Sequence, residues 1–386
     1  MNHRGLASLG ALAAVIAIVS LAAAPAAGPT SLASFVGVAD QPPPRLRRSA
    51  EVSTKAEASG EGAQAARAAA KTTAPAKTAK AWTPPRTPDG QPDLQGTWTN
   101  HTITPLERPS ALAGKEVLAE EEASALEEQA AERSNADRGR QVGSDADVGL
   151  AYNEFWWDRA TTVVDTKRTS LIVDPPDGKI PPLTPEAQER AKAEPDRRPL
   201  RATGGFQGGR DAGSWLDRSL WERCITQGLP RISSNAYNSN IEIVQGPDYV
   251  VIHHEMIHEA RVVPLDGRPH LDPRIRQYLG DSRGHWEGKT LVVDTTNFGD
   301  MTNFRGSTTG LHMVERFTRV DADTLNYEVT FDDPTTWTRP WTAAIPWKKS
   351  QGQIYEYACH EGNYGMTGIL SGGRAEEKAA EEAAKK

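Results

Sequence analysis

Residues 312–332 hold the feature that most restricts the fold. Segments 312–320 and 324–332 flank Asp321-Ala322-Asp323, and Leu325, Tyr327, Val329 and Phe331 take every second position of the second segment. Strict alternation is the period of a strand with one buried face. Met313 and Phe317 alternate on the first segment. A one-residue slip in pairing would turn one of the apolar sets to solvent. A three-residue loop gives the register that buries both, with Arg316 opposite Glu328 and His312 opposite Asp332. The same parity places Glu315 on the apolar face between Met313 and Phe317. A carboxylate there needs a partner or a raised pKa.

Strand signals recur on both sides of this hairpin. Residues 94–99 read as an opening strand, and 161–164 with 170–174 as a hairpin about Thr166-Lys167-Arg168. Residues 241–244 precede a turn at Gly246-Pro247-Asp248. Residues 249–263, crowded with β-branched side chains and closed by Pro264, read as one long strand. Gly284-His285-Trp286 and 290–294 make another hairpin, and 354–360 a last strand. Helical signals are few: a polar stretch over 110–135, a short helix over 185–193 with Thr184 as N-cap and Pro185 in the first turn, and another over 272–278. The glycine-rich run 204–209 lacks the strand–helix setting of a phosphate-binding loop. Some nine or ten strands without β–α–β alternation predict a mainly β fold. It is an antiparallel barrel or barrel-like sandwich with a few short peripheral helices.

The ends of the chain are of different character. Arg4, an apolar run over 6–24 and Ala24-Pro25-Ala26 have the order of a cleaved secretory signal over residues 1–26. An uncleaved anchor is the competing reading, since the run nears the length of a membrane span. Residues 27–88 are rich in Ala, Pro and Lys with almost no large apolar side chain, the composition of a disordered tether. Residues 41–82 carry eight basic and three acidic groups, a net +5. Subtracting that from the whole-chain −7, with Arg4 and Asp40 cancelling, leaves −12 for residues 83–386. An acidic domain lacks the basic patch with which phosphate recognition begins, so nucleic acid is not an expected partner. A single β-rich domain is expected over 89–374, followed by a charged tail over 375–386. The address is the periplasm or the outside of the cell, with no stable membrane span once the signal is cleaved.

His254-Glu255-Met256-Ile257-His258 matches HExxH, in which two imidazoles one helical turn apart share a zinc ion. On a strand the two rings would share a face but stand about 13 Å apart, too far for one ion. A zinc-dependent hydrolase is therefore the alternative reading, and no metal ligands are assigned. Cys224 and Cys359 are the only cysteines, and in an exported chain the expectation is a disulfide. Two separate buried thiols, or a nucleophilic Cys359 beside His360, compete with it.

Four histidines have acidic neighbours: His258 with Glu259, His285 with Glu287, His312 with Glu315 and His360 with Glu361. A carboxylate that orients an imidazole makes an acid–base couple. Convergence of His258, His312, Glu315, His360 and Glu361 on one cavity would form a catalytic site. Arg261 and Arg316 would grip a carboxylate or a sugar hydroxyl, and Trp337 and Trp341 would supply aromatic faces. Each has an ordinary alternative, as a strand histidine, a structural ion pair or a core tryptophan. The expected partner is a small-molecule or glycan ligand. The same His and Glu groups could instead ligate a metal, and spacing does not decide between the two, so the cofactor is unknown. A non-catalytic structural or interaction module remains the third reading.

Three runs are specific as a set: residues 312–321, Asp332-Asp333-Pro334 with 337–341, and Tyr357-Ala358-Cys359-His360-Glu361-Gly362-Asn363-Tyr364. With residues 255–258, 264–270 and 286–293, they resemble a family of exported bacterial proteins of unknown function, over roughly residues 89–374. The resemblance implies export and one shared fold, and it brings no activity. Gly96-Thr97-Trp98 is similar to the G-x-W opening of lipocalin-like barrels.

Overall fold

The alternating hairpin forms in the expected register: His312 faces Asp332, Arg316 faces Glu328 and Glu315 faces Val329. In the computed structural model these two strands sit inside a larger antiparallel ladder. The structure describes residues 82–193, 213–232, 237–301 and 304–385, except 140, 142, 146 and 148–152. The signal segment, most of the tether and the glycine-rich run lie outside the described residues.

The strands are β1 (Gly96–Thr99), β2 (Ile172–Asp174), β3 (Asn240–Gln245), β4 (Tyr249–His254), β5 (Glu259–Pro264), β6 (Asp281–Glu287), β7 (Thr290–Thr296), β8 (His312–Arg319), β9 (Thr324–Asp332) and β10 (Trp341–Lys349). Nine of them run in the order β5-β4-β3-β1-β10-β9-β8-β7-β6, and β2 pairs with β10 off this path. The two end strands, β5 and β6, come together without a ladder between them, which makes a nearly closed barrel. Gly284 lies at this seam. A Cβ there would stand 2.7 Å from Leu265 Cδ2 and 2.9 Å from Val263 Cγ1, so glycine is what lets the seam close.

The interior is filled. Alternate residues of every strand point inward, among them Trp98, Ile243, Ile252, Val263, Leu291, Phe317, Tyr327, Phe331, Trp341 and Trp347, all almost fully buried. Phe331 and Trp341 stack with centroids 4.1 Å apart, and Phe304 stacks on Phe331 at 4.8 Å. The segment 226–232, buried at every residue, adds Leu229 and Ile232 to the same core and plugs one end.

Three α-helices of the described residues lie outside the barrel. These are α1 (Glu120–Ser134), α2 (Pro185–Ala193) and α3 (Tyr364–Ala384). The Thr184 hydroxyl accepts from the Ala187 N–H at 3.2 Å, the N-cap that the sequence implies. No helix among the described residues is long and apolar enough to cross a membrane.

Several expectations need correction. Residues 249–263 are not one strand: β4 ends at His254, and 255–258 turn the chain back into β5, with His254 facing Glu259. Residues 161–164 form no hairpin with 170–174, because the Ile103 N–H and the Thr104 hydroxyl take up Thr162 and Val164 instead. Residues 272–278 are turns rather than a helix, and 354–360 form no strand. The last strand is β10. The chain is already folded at Thr87, which is buried, ahead of the expected start at 89.

Candidate functional site

The inward side chains of β4 and β5 beyond the apolar belt are polar. The tight turn at 255–258 keeps parity across the hairpin, so His254, Glu259 and Arg261 share the inner face while His253 and Ala260 point out. The Glu255 carboxylate holds this turn in place. It accepts from the Asn240 side chain at 2.8 Å and from the Tyr355 N–H at 3.4 Å.

Arg261 reaches across the interior to Glu315 on β8, in a bidentate pair at 2.5 and 3.0 Å. The Tyr327 hydroxyl donates to the same carboxylate at 2.9 Å. Glu315 is 2 % exposed, so the partner that its position on the apolar face demanded is Arg261. Burial opposes the charge on Arg261, and the adjacent Glu315 outweighs it and holds the guanidinium above its ordinary pKa. Burial first, then the Glu315 charge, push the Tyr327 phenol well above its usual range.

A second pair lies toward the plugged end. Arg231, from the buried 226–232 segment, donates to Glu259 at 2.9 Å and to Gln227. Asn100, at the end of β1, donates to the Arg231 carbonyl at 2.9 Å. His254 stands beside this pair, and burial, then the charges of Arg231 and Arg261, hold its imidazole well below the usual histidine pKa. At neutral pH it is an uncharged ring. Two arginines and two glutamates compensate each other, so the cluster is polar with no net charge. Its hydrogen bonding is incomplete: Arg231 Nε, Arg261 Nε and Glu259 Oε2 are buried without a partner. A small recess of about 10 Å³ opens on it, lined by Asn100, Arg231, Asn238, Asn240 and His254 among others.

Of the residues singled out from the sequence, the structure brings together Arg261 and Glu315. His312 does not join them, since an odd separation along β8 puts it on the outer face. There its Nε2 hydrogen-bonds Asp294 at 2.7 Å, which raises its pKa against partial burial. Asp294 also meets His270 Nε2 at 2.9 Å, and His270 Nδ1 meets Asp281 at 2.9 Å. His258 is exposed at the turn, with its ring against His253 at 4.4 Å. His254 points inward and His258 outward, so the HExxH pair cannot share an ion. Arg316 is outside on Glu287 at 2.8 Å, with His285 on the same carboxylate at 3.2 Å. Trp337 and Trp341 are core residues, not a rim. His360 and Glu361 are exposed in the coil after β10. That coil is anchored by the Cys224–Cys359 disulfide, with Cα atoms 5.6 Å apart. The expected single cavity of His258, His312, Glu315 and His360 is thus overturned.

The residues that sequence reasoning missed are Arg231, His254, Glu259 and Tyr327. A signal existed for three of them. A chain reversal at 255–258 puts His254, Glu259 and Arg261 on one face by parity alone, and Tyr327 already stood on the apolar face of its strand.

Fold and cluster together define an antiparallel β-barrel with a filled, internally ion-paired interior. No family model matches the chain, and no curated protein is similar to it in sequence. Among solved structures, the crystal structure of a mutant of the fluorescent protein UnaG is similar at 12% identity and a TM-score of 0.20. The match covers 34% of this chain and 86% of that one. The fold rests on the ladders described above and not on that likeness.

Proposed function

We propose that the protein is an exported barrel that recognises one polar group of a small organic or carbohydrate ligand at its plugged end. The observation that carries this reading is Arg231. The residue is 7 % exposed, its Nε–H has no acceptor, and it lines a recess shared with the neutral ring of His254. An unmet buried donor costs about 1–3 kcal/mol, a cost that an inserted acceptor relieves. The recess has room for about one water-sized group. A ligand would insert a hydroxyl or carbonyl oxygen there and leave its body outside. Tyr237, next to recess-lining Asn238, and Tyr355, whose N–H meets Glu255, are exposed aromatic residues close in the chain to this site.

His254 gives this site a second reading as an acid–base centre. Its ring is unprotonated at neutral pH, but burial and the two neighbouring guanidinium groups make it a weak base, so simple binding is the reading put first. Export agrees with the disulfide, a bond that persists in oxidising compartments.

The test is calorimetric titration of the folded, oxidised protein with a panel of neutral oligosaccharides. A saturable heat with one sugar, reduced at least tenfold in affinity by Asn238→Ala and by His254→Gln, is expected. No heat with any sugar, or equal affinity in both variants, rejects the site. Release of reducing ends that His254→Gln abolishes would select the acid–base reading over simple binding.

A further inference from the structure

Arg108 belongs to neither interior pair. It is 6 % exposed and stands on the wall of a groove of about 410 Å³ on the outside of the barrel. The residues flanking the short 3-10 turn Ser110–Leu112 and the turn at 175–179 form the groove. The Arg108 N–H donates to the Gly178 carbonyl, and Gly178 has a φ of +69°, so the two turns lock around this residue.

A guanidinium has five N–H donors. Here Nε donates to the Thr169 hydroxyl at 2.9 Å and Nη1 to the Pro176 carbonyl at 3.1 Å. Both acceptors are neutral, and among the described residues no carboxylate stands within ion-pair reach. The other deeply buried arginines differ. Arg231 and Arg261 each face a glutamate. Arg319 gives its donors to the Asp93, Asp321 and Ala322 carbonyls and lies over the Trp98 ring. Arg231 and Arg261 also leave three N–H groups each without an acceptor, but Arg108 is the one of the four that lines this groove with three donors on Nη1 and Nη2 uncommitted and no carboxylate paired to it. A buried cation without an opposing charge is costly, and a planar fork of free N–H groups matches a carboxylate or sulfonate.

The rest of the lining narrows the ligand. Pro109, Ala113 and Pro176 are apolar, and Lys179 adds a second cation. Glu116 and Asp177 also line the groove, and Asp177 is tied to the Lys179 N–H at 3.0 Å. Carboxylates beside the cations repel a polyanion and tolerate a single negative charge. The volume falls in the range of roughly 300–1,000 Å³ usual for small-molecule sites. We propose that this groove is a binding site for a monoanion with a compact apolar body, such as an aromatic or medium-chain aliphatic carboxylate or sulfonate. The site is separate from the plugged end, and its test is independent of the reading given there.

The probe is 1-anilinonaphthalene-8-sulfonate, followed by fluorescence on the folded, oxidised protein. Saturable binding is expected, displaced by octanoate but not by octanol at equal concentration. Arg108→Gln is expected to weaken the dye at least tenfold. Since that change also touches the Thr169 and Pro176 contacts, Ala113→Glu is the second variant. It adds a negative charge to the exposed wall without disturbing those contacts, and the same tenfold loss is expected. Absence of saturable binding, parental affinity in Ala113→Glu, or displacement by octanol as effective as by octanoate would each overturn the assignment.

Discussion

Glu315 shows how far one residue can be read before the fold is seen. Its position inside an apolar stripe was fixed by parity, and its need for a partner followed from the cost of an unpaired buried charge. Which residue would answer was not legible, because Arg261 lies 54 positions away on a strand whose limits were misread. A buried, bidentate pair that also takes the Tyr327 hydroxyl makes Glu315 structural first. Glu315→Gln leaves Arg261 buried without its counter-charge, a loss of about 3–5 kcal/mol. Its melting temperature should fall on the order of 10 °C. Replacing both partners, as Arg261→Met with Glu315→Leu, should recover most of that loss. A Glu315→Gln variant that melts with the parent would remove the pair from the account of stability. His254 gives a pH prediction. The unfolded chain binds a proton there near pH 6.5, whereas the folded ring, depressed by burial and then by Arg231 and Arg261, does not. Stability is therefore full above pH 6.5 and falls as pH drops below it, by about 1.4 kcal/mol per pH unit for one proton. His312 has the opposite sign: its raised pKa stabilises below pH 6.5, and that contribution is lost as pH rises through the folded value. Melting curves between pH 5 and 8 should show a shallower acid decline for His254→Gln than for the parent. An identical decline would place the acid sensitivity elsewhere.

At the scale of elements, legibility followed the strength of the local pattern. β8 and β9 were readable because alternation and turn chemistry agree. The reversal between β4 and β5 was not, since Glu255-Met256-Ile257-His258 contains none of the residues that usually make turns. It is held instead by tertiary contacts of Glu255, and it puts Ile257 at φ 65° and His258 at φ 54°. For a β-branched side chain the left-handed region costs roughly 1–2 kcal/mol. Ile257→Gly should therefore raise stability by about 1 kcal/mol, a gain visible in thermal melts and denaturant midpoints. A lower melting temperature would mean that Ile257 contributes more by packing than it loses in strain. β10 carries its own alternation, with Trp341, Ala343, Ile345 and Trp347 all pointing inward. Pro346 stands against that signal in the sequence, because proline in a strand removes a ladder donor. The outward orientation of His312 was also implicit in the register that placed Glu315 inside, since residues three apart on a strand cannot share a face.

The molecule as a whole has one weakness, the seam between β5 and β6, where the ladder stops. Two devices span the structure around it. The Arg261–Glu315 pair ties β5 across the interior to β8, bridging the open side. The Cys224–Cys359 bridge ties the segment leading into the buried plug to the coil after β10, across 135 positions of sequence. Neither was predictable as a device from local sequence, because both depend on which strands end the sheet, although the cysteine pairing itself was expected. In the chain-entropy model a loop of that length is worth about 4–5 kcal/mol. The bridge also keeps the 350–363 coil, through the Tyr355 contact with Glu255, on the turn beside His254. Cys224→Ser with Cys359→Ser should thus lower the melting temperature on the order of 10 °C. It should also open 350–363 to limited proteolysis before the barrel strands are cut. Treatment of the parent protein with a reductant should reproduce both effects. Unchanged melting and an unchanged cleavage pattern after reduction would show that the barrel and plug hold without the bridge.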